Sequence, residues 1–166
     1  MKKIRFHFEA DEIPVESLET RDRALVSAAD AMTQSAYAPY SRFLVGAAVL
    51  LANGTVVHGS NQENVAYPSG LCAERVALFS AGANHPGVEV DTIAIVARTE
   101  RFEIIEPLTP CGGCRQVICE YAYRQQRPIR LILVGAGKAM VIADANQLLP
   151  FAFKADGLKA GPVAKA

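Results

Sequence analysis

The chain has 166 residues, about half of them apolar, and its 17 Lys and Arg are balanced by 17 Asp and Glu. That length fits one domain with enough apolar material for a buried core, and neutrality argues against the basic footprint of a protein that tracks a nucleic-acid backbone. No continuous apolar stretch is long enough for a membrane span or a signal peptide, so a cytoplasmic protein acting on a small, weakly charged molecule is expected.

Residues 1–19 alternate apolar and charged side chains around Ile4, Phe6 and Phe8 and then turn acidic. They read as an amino-terminal arm able to form an edge strand, with the domain proper over 20–166. Leu25, Val26, Ala29 and Met32 fall at helical spacing and predict an amphipathic helix over 19–36. The apolar run 44–51, Asn53-Gly54 and then 55–57 predict a hairpin closed by a tight two-residue turn. Ser69 is the expected N-cap of a helix over 71–83, and 91–96 is an apolar strand. Thr109 at the N-cap with Pro110 at the first helical position starts a helix running to about 124. Strands follow at 128–134 and 139–142, and Leu148-Leu149-Pro150 closes a short last helix. This order predicts a mixed sheet with helices on both faces. Both cysteine-bearing helices would start at the same end of it.

Of the four cysteines, Cys111 and Cys114 stand three apart in the first turns of the predicted third helix, and Cys72 stands at the start of the second. The spacing puts both sulfurs of the pair on one helix face, and a helix N-terminus favours the thiolate that binds metal. Three protein ligands with an open fourth position is the pattern of catalytic zinc. Taken alone, the C-x-x-C also fits a redox pair or a structural zinc knuckle. Cys119, more than a turn beyond Cys114, reads as a small core residue. Glu74 sits two residues from Cys72, and on an ideal helix the two would point to opposite sides. Only in a first turn could both reach one site.

Cys72-Ala73-Glu74-Arg75 followed by Pro110-Cys111-Gly112-Gly113-Cys114 resembles the signature of the zinc nucleoside deaminases in their three-cysteine form. The longer match is to the cytidine deaminase family. It takes in residues 36–43, Val45-Gly46-Ala47-Ala48, Asn61-Gln62-Glu63-Asn64, the Cys111 to Val117 block and, more weakly, Leu148-Leu149-Pro150. Gly113 stands where alanine is commoner in the family.

The resemblance implies a three-layer α/β/α cytidine-deaminase-like fold with a mixed sheet of about five strands. It implies zinc on Cys72, Cys111 and Cys114, and Glu74 moving a proton from water to N3 of a cytosine ring and later to the departing ammonia. It further implies ribose binding by Asn61 and Glu63, an aromatic beside the pyrimidine at Phe43, and a base contact from the Ala66 peptide. Arg75 and Arg115 would donate to the sulfurs and offset the charge of three thiolates. The family's homotetramer, in which neighbouring subunits complete each pocket, would make Phe153 a cross-subunit contact. The implied activity is hydrolytic deamination of cytidine and 2'-deoxycytidine in pyrimidine salvage, without nucleic-acid or membrane partners. Two other readings stay open on the sequence: a deaminase of another cytosine-like nucleoside such as blasticidin S, and a non-catalytic zinc-stabilised binding module.

Overall fold

The structure, a computed structural model, describes residues 1–154 and 156–158. In chain order it runs β1 (Asp11–Pro14), α1 (Thr20–Met32), β2 (Leu44–Leu51), β3 (Val56–Ser60), α2 (Ala73–Asn84), β4 (Val90–Arg98), α3 (Gly112–Gln125), β5 (Arg130–Gly135) and β6 (Lys138–Ile142). The strands form one six-stranded sheet in the order β1-β6-β5-β4-β2-β3. Only β4 and β5 are parallel; the other neighbours are antiparallel. The expected mixed sheet is thus present, with a sixth strand added at one edge.

Alternation along the strands divides the core in two. Ala47, Val49 and Leu51 face Ala73, Ala77, Leu78 and Ala81 of α2 and Ile118 and Ala122 of α3. Ala48 and Leu50 of β2 face the other way, with Ala94, Val96 and Ile132, against Leu25, Val26 and Ala29 of α1. One helix therefore covers one face and two cover the other, the three-layer arrangement. No helix of the described residues is long and apolar enough to cross a membrane.

Three local expectations are corrected. The hairpin turn is a three-residue loop: the Leu51 amide donates to Thr55 and the Gly54 amide to Leu51, with the positive φ at Gly54 alone (+86°). A type I turn followed by a left-handed glycine gives this geometry. Neither Ser69 nor Thr109 caps a helix. Ser69 ends a separate 3-10 turn, and the N-caps are Cys72 and Cys111. Residues 4–8 lie outside any strand, and the edge strand sits at Asp11–Pro14, where β6 offers a partner.

On the α1 face, Asp22 is only 7 % exposed and accepts two hydrogen bonds from the Arg130 guanidinium, at 2.9 and 2.6 Å. This fork ties the first turn of α1 to the start of β5. Asp22→Asn leaves a guanidinium without its countercharge in a partly closed site, and a loss of about 2–3 kcal/mol is expected from the cost of breaking such pairs, reduced because Arg130 is partly exposed. Urea unfolding of the variant beside the parent measures it.

Candidate active site

β3 and β4 are both antiparallel to β2 and so run in the same direction. The helices that follow them, α2 and α3, consequently begin at the same end of the sheet, beyond the carboxyl ends of the strands, where open α/β folds form their crevices. A cavity of about 910 Å³ lies there, walled in part by Phe43, Asn61, Glu63, Cys72, Glu74 and Cys111.

Cys72 and Cys111 each occupy an N-cap with extended backbone (φ −72°, ψ 154° and φ −64°, ψ 166°). Cys72 is therefore not yet on the helix. Its side chain is free of the helical angular spacing, and both it and Glu74 reach the cavity. That removes the geometric tension in the Cys-Ala-Glu spacing. The Sγ atoms of Cys72 and Cys111 are 3.8 Å apart and those of Cys111 and Cys114 3.5 Å apart, all three lying within 4.8 Å of one another. Sulfurs about 2.3 Å from a tetrahedral ion sit roughly 3.8 Å from each other, so the trio fits one metal ion. Cys119 is buried and stands outside this cluster.

So dense a group of thiols cannot ionise together without a cation. The Cys114 thiol donating to Cys72, helped by Arg75, draws Cys72 down to about 5. The same shared proton, then burial, then the nearby Glu74 charge push Cys114 far up. A divalent ion replaces the shared proton and lets all three exist as thiolates. Glu74 is 4 % exposed, and burial foremost raises its pKa, with the Cys72 charge adding to the effect. A carboxyl raised in this way can hold a proton as well as release it.

The two arginines separate. Arg75 places Nη2 3.7 Å from the Cys72 sulfur, while its buried Nε has no hydrogen-bond partner. Arg115 does not donate to sulfur. Its Nε goes to the Pro110 carbonyl at 2.7 Å, Nη1 to the Leu148 carbonyl and Nη2 to the Thr109 hydroxyl. It braces the chain entering Cys111, which is how a residue beside a ligand serves the ligand without touching it.

Asn61 closes a bracket on β2: its Oδ1 accepts from the Val45 amide at 2.7 Å and its Nδ2 donates to the Phe43 carbonyl at 2.8 Å. Glu63 Oε2 accepts from the Tyr40 amide at 2.9 Å and the Ser41 amide at 3.3 Å. Slight desolvation raises the Glu63 carboxyl, but the Ser41 hydroxyl and these two amides outweigh it and hold the group below its usual value. Phe43 lies on the cavity wall with Phe102 stacked on it, ring centroids 6.1 Å apart. Ala66 is not brought to that wall: its amide donates to Asn64 and its carbonyl accepts from Ser69. Phe153 is 71 % exposed and lies against Gln116, whose amide group bonds both its N–H and its C=O. Sequence reasoning missed the rim formed by Tyr40 and Tyr67, whose rings meet edge-on at 6.2 Å, and it missed Phe102. The repeated tyrosines around Pro39 were a usable signal; the 99–109 segment offers no periodicity that singles out Phe102.

Residues 19–126 match the family model described as the cytidine and deoxycytidylate deaminase zinc-binding region. A cytidine deaminase of Halalkalibacterium halodurans is 40% identical over 134 residues, covering 81% of this chain and 95% of that protein. The crystal structure of the cytidine deaminase from Burkholderia pseudomallei superposes with a TM-score of 0.68 at 44% identity, covering 78% of this chain and 97% of that one. A blasticidin-S deaminase of Bacillus cereus is more distant, 29% identical over 112 residues.

Proposed function

This chain belongs to the cytidine and deoxycytidylate deaminase family, and from that premise we propose that it hydrolyses cytidine and 2'-deoxycytidine to the uridines with release of ammonia, using zinc held by Cys72, Cys111 and Cys114. It is an enzyme that deaminates cytidine. The observation that carries the site assignment is the buried Glu74 opening into the same cavity as two of the three clustered cysteines.

Zinc held by Cys72, Cys111 and Cys114 would supply Lewis acidity that brings the pKa of a water toward neutrality. Glu74 accepts that water's proton and delivers it to N3 of the ring as the C4–O bond forms. It then takes the proton of the hydroxyl now on C4 and gives it to the exocyclic nitrogen, so that the C4 carbonyl forms as the C4–N bond breaks and ammonia leaves. Three thiolates leave the centre one negative charge in excess, and the Arg75 guanidinium beside the Cys72 sulfur offsets it. Asn61 keeps a second N–H beyond the one it gives to Phe43, and with the Glu63 carboxylate it holds the ribose hydroxyls. Phe43 packs against the pyrimidine.

We further propose that residues 20–166 are the catalytic domain with 1–19 an appended arm, and that the enzyme serves pyrimidine salvage in the cytoplasm as a homotetramer. Unpaired thiols as ligands suit a reducing compartment, and the exposed Phe153 ring suits a contact with a neighbouring subunit. Ultraviolet assay of cytidine, 2'-deoxycytidine and cytosine side by side tests the reading. Both nucleosides should turn over and stop doing so with chelator. Turnover of free cytosine alone would sink the ribose assignment to Asn61 and Glu63.

A further inference from the structure

The amino-terminal arm lies outside the matched family region, and its chemistry is unused by the reaction. Ile4, Phe6 and Phe8 are 69%, 50% and 52% exposed, and they alternate with Lys3, Arg5, His7, Glu9 and Asp11. Such strict alternation is the pattern of a strand, yet residues 1–10 belong to none. The arm is nonetheless held on the surface: Phe6 meets the Phe151 ring edge-on at 4.9 Å, and the Glu9 amide donates to Gln147 at 2.8 Å. It runs directly into β1, the terminal strand of the sheet, whose outer edge has no strand partner among the described residues. An open edge presents unpaired N–H and C=O groups on which another strand can pair.

Its charge order says which strand. The basic residues come first and the acidic ones last, spaced evenly about His7. Laid antiparallel on a copy of itself with His7 opposite His7, the segment places Lys3 opposite Asp11 and Arg5 opposite Glu9, each twice. On the other face Phe6 meets Phe8 and Ile4 meets Ala10. Directly opposed residues share a face, so ions meet counter-ions on one side and apolar groups meet on the other. A one-residue slip would set Arg5, His7 and Glu9 against apolar side chains and leave only the Lys2–Asp11 or Lys3–Glu12 ion pair. A two-residue slip either way sets histidine against Arg5 or Glu9 and breaks half the ion pairs. Parallel pairing in register opposes like charges.

We infer that residues 3–11 pair antiparallel with the same residues of a second copy of this chain, centred on His7. The interaction is independent of the deaminase reading, since none of these residues touches the cavity.

The test uses the full zinc-loaded chain carrying His7→Cys. Directly opposed strand positions lie within disulfide reach, so mild oxidation should yield a cross-linked dimer. Adding Lys3→Glu and Arg5→Glu opposes acid to acid, and adding Glu9→Lys and Asp11→Lys opposes base to base. Each set alone should cut cross-linking about ten-fold or more, since four ion pairs are turned repulsive. A mixture of the two sets should restore it as the heterodimer, resolved by mass, because all four pairs are then complementary. Glu9→Cys should link to Arg5→Cys and not to itself. Turnover should be the same in every variant. Absent cross-linking of His7→Cys, cross-linking indifferent to charge reversal, or failure of the mixture to recover would each overturn the pairing.

Discussion

Glu74→Gln is expected to lower turnover of cytidine by roughly three to four orders of magnitude, the upper range for loss of a positioned proton carrier. Zinc should stay at one ion per chain. Glutamine matches glutamate in shape, and Glu74 is 4 % exposed, so the exchange leaves no cavity. Burial already works against the charged carboxylate there, and a neutral amide removes that opposition, so stability should hold or rise. The amide cannot accept the proton that must move from water to the ring and then to ammonia. Cys114→Ser should behave otherwise, losing metal and turnover together. Metal analysis and a steady-state assay on both variants separate the roles, and wild-type turnover in Glu74→Gln would end the proposed mechanism.

Gly46→Ala should be the most damaging of the Gly→Ala changes among the described residues. A Cβ at Gly46 would lie 1.9 Å from the Ala29 carbonyl oxygen and 2.9 Å from the Thr33 nitrogen. Both are backbone atoms of the α1 segment, so no side chain can swing aside. The helix would have to lift from β2, opening the contact of Leu25, Val26 and Ala29 with Ala48 and Leu50. A loss of about 3 kcal/mol or more is expected, the upper part of the range for overpacking, which lowers Tm by roughly 6–12 °C or leaves the chain insoluble. Gly112→Ala is the control. A Cβ there meets nothing within 4 Å, and its Tm should match the parent. The glycine of the Val45-Gly46-Ala47-Ala48 motif is thus explained by a close helix–sheet approach.

The features legible in the sequence were those set by local spacing or by alternation. Cys111 and Cys114 are three apart on one helix start, and the β2 and β4 runs are apolar on both faces, as interior strands must be. Bringing Cys72 to that pair required the topology, in which β3 and β4 share a direction through β2. The helix starts were misplaced because capping preference selects Ser69 and Thr109, whereas the structure gives the caps to the cysteines that point at the cavity. The alternation at Ile4, Phe6 and Phe8 is more regular than anything at Asp11–Pro14, yet the strand forms where β6 lies alongside. Tertiary partnership outranked local pattern. Arg115 shows the same limit at the level of one side chain. Its position beside Cys114 suggested sulfur, and the carbonyls of Pro110 and Leu148 decided its direction.

The pairing of β1 with β6 has a consequence for the order in which the protein comes into being. Asp11 lies opposite Val141 and Pro14 opposite Lys138, so β1 waits for β6, the last strand of the described sheet, to find its neighbour. During synthesis the four strands from β2 to β5 can zip together while the beginning of the chain waits outside. Only when Lys138–Ile142 has emerged can the sheet edge close and the arm come to rest near Gln147 and Phe151. A nascent chain held short of β6 therefore leaves Asp11–Pro14 without its strand neighbour. Protease sensitivity at residues 1–14 would report whether the far end had been translated.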